Sequence, residues 1–421
     1  MAKPAEFEKL PFIIAGGGLV GLCCAINLRR AGHEVVLIDP GDIKRAASYG
    51  NNGQFAVGDI VPLAVPGIVL KVPGYLLDPL GPLAIRWRDL PRLVPWLLRF
   101  TAESRRERME AISAGLAAMC NLIHFDYEPM LKAAAAEHLL DHTECIKLFE
   151  TREQFDLEER KYGHLRERAG AQYELLDDKA LHALEPEIAP QFRFGAIMKG
   201  RKFIRNLAKL IDAFAELLRR EGGSVVAGEV ADFERADGKV VAVRLNDGRR
   251  LPAAGVVVAA GAWSKRLCAM LGDKVPLECE RGYHVMLPRG GIKLGRSLTI
   301  PSRGFGIVPM EEGIRLAGTV ELARLDSPPN FERADRLIAN ARVILPNLKY
   351  DGAERWMGNR PSLPDSLPVI DRASRVSNVY YAFGHGHRGV SFAPTTGRLL
   401  AGLVAGRPSN FDMRPYRLNR L

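Results

Sequence analysis

No apolar run in this chain approaches the roughly 20 residues that a membrane-spanning helix requires, so an integral membrane helix is not expected. The start of the chain also lacks a basic segment followed by an apolar core and a small-residue cleavage site, the pattern of a secretory leader. Cysteine is scarce. Cys23, Cys24, Cys120, Cys145, Cys268 and Cys279 show neither zinc-ligand nor disulfide spacing, so no metal is expected and a reducing, cytoplasmic setting fits. Repeats and low-complexity tracts are absent. The 59 basic and 49 acidic residues leave a net charge of +10, but the basic residues form no Lys/Arg block and no nucleic-acid motif. The charge is therefore read as a general bias toward anionic surfaces, lipid headgroups among them, and no nucleic-acid partner is expected. At 421 residues and 47% hydrophobic, the chain can bury a large core in two or three domain-sized units.

What is present begins at the first strand. Residues 11–15 are apolar and run straight into Gly16-Gly17-Gly18-Leu19-Val20-Gly21. An apolar helix follows, then a second strand over 33–38 that ends on Asp39-Pro40. Gly16 permits the tight turn, Gly18 lets backbone approach a pyrophosphate, and Gly21 lets the helix pack closely on the strand. The helix N-terminus supplies N–H donors and partial positive charge. Asp39 stands 18 residues beyond Gly21, where its carboxylate can accept from a ribose 2′-OH and would repel a 2′-phosphate. The pattern predicts a dinucleotide site for NAD or FAD, and this stretch does not separate the two.

Further along, residues 47–54 form a small, polar, glycine-bearing loop. Residues 61–100 then interleave Pro62, Pro66, Pro73, Pro79, Pro82, Pro91 and Pro95 with aliphatic residues and Trp, punctuated by Lys71, Arg86, Arg88, Arg92 and Arg99. So many prolines are expected to forbid a long helix. Two readings stand: an excursion that covers the core, or a monotopic surface dipping into a membrane interface with arginines at the headgroups. Residues 102–142 read as charged helices, 144–149 as a strand and 177–184 as a short helix. Residues 203–221 read as an amphipathic helix with Leu207, Leu210, Ile211, Phe214, Leu217 and Leu218 on one face. A strand over 239–245 closes on the turn Asn246-Asp247-Gly248, and a buried strand over 255–260 ends in Ala260-Gly261-Ala262-Trp263-Ser264. Residues 276–325 alternate like antiparallel sheet. A last buried strand, 378–383, enters Gly384-His385-Gly386-His387-Arg388-Gly389 and a final helix over 394–404.

This order predicts an α/β plus α+β chain. A Rossmann-like domain would be assembled from residues 1–70, 196–275 and 356–421, with an antiparallel-sheet substrate domain, 71–195 and 276–355, inserted into it.

The opening motif, the 48–54 loop, Val257-Val258-Ala259-Ala260-Gly261-Ala262-Trp263-Ser264 and the 384–389 segment occur in an order that resembles the D-amino-acid oxidase family of flavoproteins. Within that family the similarity is greatest to bacterial D-amino-acid dehydrogenases. The resemblance covers nearly the whole chain and implies FAD. By that resemblance Gly16, Gly18 and Gly21 cradle the pyrophosphate, Asp39 holds the adenosine ribose, and Val230 touches the adenine through its backbone. Ala260 and Gly261 close the pyrophosphate side, while Ser48, Asn51 and Gly53 lie near the phosphates and flavin. Gly384, Gly386 and Gly389, with His385, His387 and Arg388, turn N–H groups toward the flavin pyrimidine edge. Leu19, Val20, Pro40, Asn52, Gln54, Trp263 and Val390 complete the expected cofactor-binding set. Some relatives attach the flavin through a cysteine near the C-terminal motif; residues 356–371 contain none, so dissociable FAD is expected.

Trp356-Met357-Gly358-Asn359-Arg360-Pro361 is similar to the family stretch whose arginine grips the substrate carboxylate, which assigns that role to Arg360. A planar guanidinium suits two parallel bonds to a carboxylate. The competing reading pairs Arg360 with a nearby acid such as Asp365. Tyr283, Arg303 and Phe305 are placed toward the flavin, and His385 and His387 are candidates for substrate binding or proton control. His284 reads as sheet filler. Several relatives carry a tyrosine near Phe305-Gly306-Ile307, and this chain has none there.

The resemblance implies oxidation of a D-amino acid, or of a cyclic imino acid such as proline or hydroxyproline, by hydride transfer from Cα to flavin N5. A quinone-type acceptor, and peripheral contact with the inner face of the cell membrane, are expected. The alternatives are an oxygen-using glycine, sarcosine or D-amino-acid oxidase, or the flavin-binding subunit of a multi-subunit dehydrogenase. Flavin-dependent modification of a nucleic acid is a further alternative, against which the scattered charges argue. Oligomeric state is left open.

Overall fold

The computed structural model describes residues 10–421 except 77, 79, 80, 82 and 289. Pro79 and Pro82 of the proline-rich segment, and the first nine residues of the expected first domain, lie outside that set. Among the described residues the strands form two large sheets, one of six strands and one of nine, with smaller sheets of three and two.

The six-stranded sheet is built around β1 (Phe12–Ala15), which pairs in parallel with β2 (Val35–Asp39) on one side and Gly255–Val258 on the other. Ser224–Ala227 extends the sheet beyond β2. Val379–Phe383 extends it beyond Gly255–Val258 and carries the antiparallel edge strand Val369–Arg372. Each central strand is a short apolar run buried on both faces, as a parallel sheet requires. Helix α1 (Leu19–Arg30) lies on one face with the helices Leu207–Arg220 and Gly389–Val404. The three-stranded sheet within Val230–Pro252 and the helix Ser264–Met270 share the core on the other. The result is a three-layer unit whose β1–α1 turn opens at the carboxyl ends of the parallel strands, where ligands bind in such sheets.

The nine-stranded sheet runs Glu354–Ser362, Glu278–Leu287, Gly313–Leu322, Phe305–Met310, Leu298–Ile300, Ile146–Phe149, Phe194–Met198 and Tyr173–Leu176, with Leu83–Ile85 pairing onto Gly313–Leu322. The helix Glu332–Ile344 packs under it through Ala334, Leu337, Ile338 and Ala341.

Several local expectations need revision. Leu90–Glu103 is a 14-residue helix despite Pro91 and Pro95. Pro91 occupies the first turn, where the missing N–H has no intrahelical acceptor, so only Pro95 removes a ladder bond. The amphipathic helix starts at Leu207, capped by Asn206, because Phe203–Ile204 pairs as a strand with Leu140–Asp141. The last helix begins at Gly389, five residues before Pro394, which sits inside it. The helices Arg106–Cys120 and Ile123–Ala133 join the core that covers α1, on the nucleotide side of the molecule. The boundaries at 196 and 356 fall within the strands Phe194–Met198 and Glu354–Ser362, both of the nine-stranded sheet.

Candidate active site

A cavity of about 670 Å³ runs from the β1–α1 turn to the face of the nine-stranded sheet. At its first end Gly16 has φ +115°, and a Cβ there would stand 2.5 Å from the Ala259 carbonyl oxygen. Gly18 caps α1 with no side-chain hydrogen bond, and the first turn carries no acid. The helix N-terminus thus meets the cavity as bare backbone, suited to a phosphate. A Cβ on Gly21 would lie 1.8 Å from the Gly16 carbonyl oxygen, so this glycine sets the helix–strand approach from beneath and does not line the cavity. Asp39 lines it with Pro40, and its carboxylate accepts from the N–H groups of Gly17 and Gly41, each at 2.8 Å. Val20, Val230, Ala260, Gly261 and Trp263 line the same end. The Arg45 guanidinium lies over the Trp263 ring at 5.3 Å.

The 48–54 loop forms the middle. Ser48 accepts from the Leu19 N–H at 3.4 Å, and Asn51 accepts from Gly53 N–H at 2.9 Å while donating to the His387 carbonyl at 3.3 Å. Ser48, Asn51, Asn52 and Gln54 face the cavity. Asn52 Oδ1 is buried with no partner in the chain, a free acceptor on a wall of this cavity. Leu19 and Gly53 support the loop without lining the space; a Cβ on Gly53 would meet the Ile204 carbonyl oxygen at 2.4 Å. The loop is tied from outside. Arg315 donates to the carbonyls of Tyr49 and Asn51 at 3.1 and 2.7 Å. Trp356 stacks on His284 at 4.8 Å, and its ring leaves no room for a Cβ on Gly50.

At the other side His385, Gly386, His387, Gly389 and Val390 line the wall, where the helix Gly389–Val404 begins. His385 Nε2 pairs with Thr396 Oγ1 at 2.9 Å, and burial pushes its pKa down to about 3, so it is a neutral structural hydrogen-bonder. Gly384 (φ +82°) lies behind the wall, where a Cβ would be 2.4 Å from Leu363 Cδ1. Arg388 also turns away from the cavity. Its guanidinium donates to the carbonyls of Asp59 and Val61, both at 3.0 Å, and clamps that segment.

Arg360 projects into this space from Glu354–Ser362, with Phe305, Gly306, Gly318 and Thr319 nearby on the cavity wall. It donates to the Thr319 carbonyl at 3.1 Å, and among the described residues it has no carboxylate within ion-pair distance. Asp365, the competing partner, is taken by Arg420 at 2.7 Å. Burial depresses the guanidinium pKa, and Glu280 opposes that shift. The neighbouring strand pairs Glu280 with Arg360 and Gly282 with Gly358. His387 Nε2 lies 2.8 Å from Glu280 Oε2.

Two expected catalytic residues are elsewhere. Tyr283 is on the opposite face of Glu278–Leu287, in the core with Val285 and Leu287, and its hydroxyl donates to Glu321. Alternation along the strand accounts for this: Tyr283 shares the face of Val285 and Leu287, while Gly282, which lies against Arg360, is on the other. Arg303 does not line the cavity; it pairs with Glu150 at 3.3 Å. The residues not anticipated are Glu280, Gly282, Arg315 and Trp356, the last quoted only as part of a motif. Glu280 stands one residue before Arg281-Gly282-Tyr283, and only strand pairing reveals that it opposes Arg360.

The profile of the family described as "DAO: FAD dependent oxidoreductase" matches residues 12–403. The chain is 35% identical over 414 residues to a D-amino-acid oxidase of Bradyrhizobium diazoefficiens, covering 97% of this chain and 98% of that protein. It is 30% identical over 428 residues to a D-amino acid dehydrogenase of Methylobacterium radiotolerans, covering 97% and 99%. The glycine oxidase structure from Geobacillus kaustophilus superposes with a TM-score of 0.74 at 22% identity, covering 97% of this chain and 98% of that one, a likeness of fold.

The chain is thus a flavin-dependent redox enzyme built on a nucleotide-binding sheet. It belongs to the FAD-dependent oxidoreductase family of the D-amino-acid oxidase type. The glycine cradle, the bare α1 N-terminus and the unpartnered Asn52 oxygen fit FAD.

Proposed function

We propose that this enzyme is a D-amino-acid dehydrogenase that takes D-amino acids or cyclic imino acids and passes their electrons to a quinone-type acceptor. The observation that carries the reading is Arg360, a guanidinium without a carboxylate partner among the described residues, in the same cavity as the dinucleotide cradle. A substrate carboxylate supplies the missing partner, and the two-pronged geometry orients Cα. FAD, when bound, accepts the hydride equivalent from Cα. The chain's own residues bind the substrate, hold its orientation and exclude water.

The acceptor side rests on a surface feature. Trp87, Pro91, Val94 and Leu98 recur at helical spacing on the exposed side of 87–103, with Arg88 beside them; Trp87 and Leu98 are 67% and 66% exposed. An apolar stripe with a flanking arginine suits the headgroup region of a bilayer, where quinones are available. Among the described residues no helix is long and apolar enough to cross a membrane.

The test is an anaerobic panel of D- and L-amino and imino acids added to the purified yellow protein. Bleaching of the flavin band by D-amino acids, with recovery on a quinone analogue and not in air, is expected. Fast recovery in air would make it an oxidase, the activity named for the Bradyrhizobium relative. No bleaching by any member would overturn the reading.

A further inference from the structure

Glu280 and His387 form a pair that carboxylate binding by Arg360 does not use. Glu280 is 3% exposed, sits in a sheet interior, and opposes Arg360 in the strand register. Cross-strand partners on one face stand close together. Glu280 nevertheless makes its short contact with His387, at 2.8 Å, from a chain segment 107 residues away. A buried carboxylate is costly unless it is hydrogen-bonded, so its retention here calls for a purpose.

The hydrogen-bond inventory sets the tautomer. Ionised Glu280 only accepts, so His387 Nε2 carries the proton, and Nδ1 keeps a lone pair. His387 lines the cavity that Arg360 also lines. Burial would raise the Glu280 carboxyl, but the hydrogen bond and charge of His387, together with Arg360, hold it below its ordinary value. Burial and then the Arg360 charge hold His387 below its own, against Glu280, with Arg388 adding to the depression. Asp59 is the other charged group whose titration couples to His387, and it is held ionised by Arg388 and Arg201 against burial.

An amino acid at neutral pH carries an ammonium group, which has no lone pair. Hydride cannot leave Cα until that group loses a proton, because the nitrogen lone pair must form the C=N bond. We infer that His387, held by Glu280, takes this proton from the substrate ammonium. This rests on the amino-acid reading above. The step balances: the substrate N–H bond breaks and its proton moves to His387 Nδ1, giving an imidazolium whose Nε2–H points at Glu280. The neutral amine then forms C=N as two electrons and the Cα hydrogen pass as hydride to FAD, the oxidant of this family. The product leaves as an iminium acid. His387 touches substrate; Glu280 is a positioning residue that stabilises the imidazolium.

The experiment is anaerobic stopped-flow reduction of the FAD-loaded enzyme by D-alanine from pH 5.5 to 10, on wild type, His387→Gln and Glu280→Gln. Binding of propionate, a carboxylate without an amine, is read in parallel from the flavin spectrum. In wild type the reduction rate rises through an ionisation below the ordinary histidine range and is flat at neutral pH. In His387→Gln the rate at pH 7 falls about 100-fold, and it climbs with pH until the free amine titrates, above about 8. Propionate affinity stays within about two-fold, since Arg360 is untouched. In Glu280→Gln the imidazole is a weaker base, so the rising limb moves to lower pH and the plateau drops. An unchanged pH profile in His387→Gln, with wild-type reduction intact, overturns the proton-transfer role alone. A variant that loses flavin leaves Glu280→Gln to decide, and an unmoved limb there overturns the proposal. Failure of every D-amino acid to reduce the wild type overturns both this inference and the substrate reading.

Discussion

Gly282 and Arg360 occupy adjacent strands so closely that a Cβ on Gly282 would stand 2.1 Å from the Arg360 Cζ. The guanidinium lies across the bare backbone of this glycine. Gly282→Ala is therefore expected to displace Arg360 while leaving the flavin cradle intact. Its signature is a raised KM for amino acids with a normal flavin content; an unchanged KM would show that Arg360 has room to move.

Removing Arg360 itself is expected to weaken binding of a carboxylate by roughly 2–5 kcal/mol, the range for truncating one partner of a buried charge pair. Arg360→Lys retains the charge and loses the two-pronged geometry, so it should recover only part of that binding. Titration with propionate, followed through the flavin spectrum, measures both variants. Wild-type affinity in Arg360→Ala would remove this residue from the substrate site.

The cradle makes a separate prediction. Gly21→Ala places a Cβ 1.8 Å from the Gly16 carbonyl oxygen, a contact that backbone must move to relieve. The α1 N-terminus then shifts off the β1 turn, and the variant should purify with little or no flavin. Flavin per protein chain, measured after denaturation, checks this; a full complement would contradict it.

Stability should fall on mild acidification. Burial, assisted for His284 by the Arg315 charge, pushes His284 and His385 from 6.5 to about 3. Between those values the unfolded chain binds protons that the folded chain refuses. Unfolding free energy therefore decreases as pH falls below about 6.5, by up to about 1.4 kcal/mol per pH unit for each group. Urea midpoints at pH 7, 6 and 5 should decline, and the slope should be shallower in His284→Gln. An equal slope in the variant would assign the effect to other groups.

The exposed stripe predicts membrane contact. Flotation with anionic liposomes should carry the wild-type protein upward, and Trp87→Ser with Leu98→Ser should reduce the floating fraction severalfold. Retention of quinone reduction in detergent by the double variant would separate docking from chemistry. No flotation of wild type would end the membrane reading.

The parts legible in the sequence are those whose chemistry is written in neighbouring residues. The strand–glycine–helix turn from Phe12 to Arg30 needs small residues at fixed offsets, so Gly16, Gly18 and Gly21 announce it before any tertiary contact is known. Asp39 follows because β2 has a set length, and Arg360 could be named because its motif is contiguous. Residue spacing does not say which face of a strand meets the site. Tyr283 and Gly282 are neighbours in the chain, yet one is packed in the core and the other lies under Arg360. Helix 90–103 was illegible for another reason: a proline count ignores where in the turn each proline falls.

By itself, then, the sequence determined the dinucleotide cradle and the parallel core around it, and singled out Arg360 as the arginine proposed to bind a carboxylate, because each depends on local backbone geometry or a contiguous motif. Only the tertiary structure decided that Glu280 reaches His387, that Arg420 takes Asp365 away from Arg360, and that Arg315 and Trp356 tie down the 48–54 loop. Those contacts join segments at least 55 residues apart. Pairings at that range are set by strand register and by the packing of two sheets against each other, which no local pattern encodes.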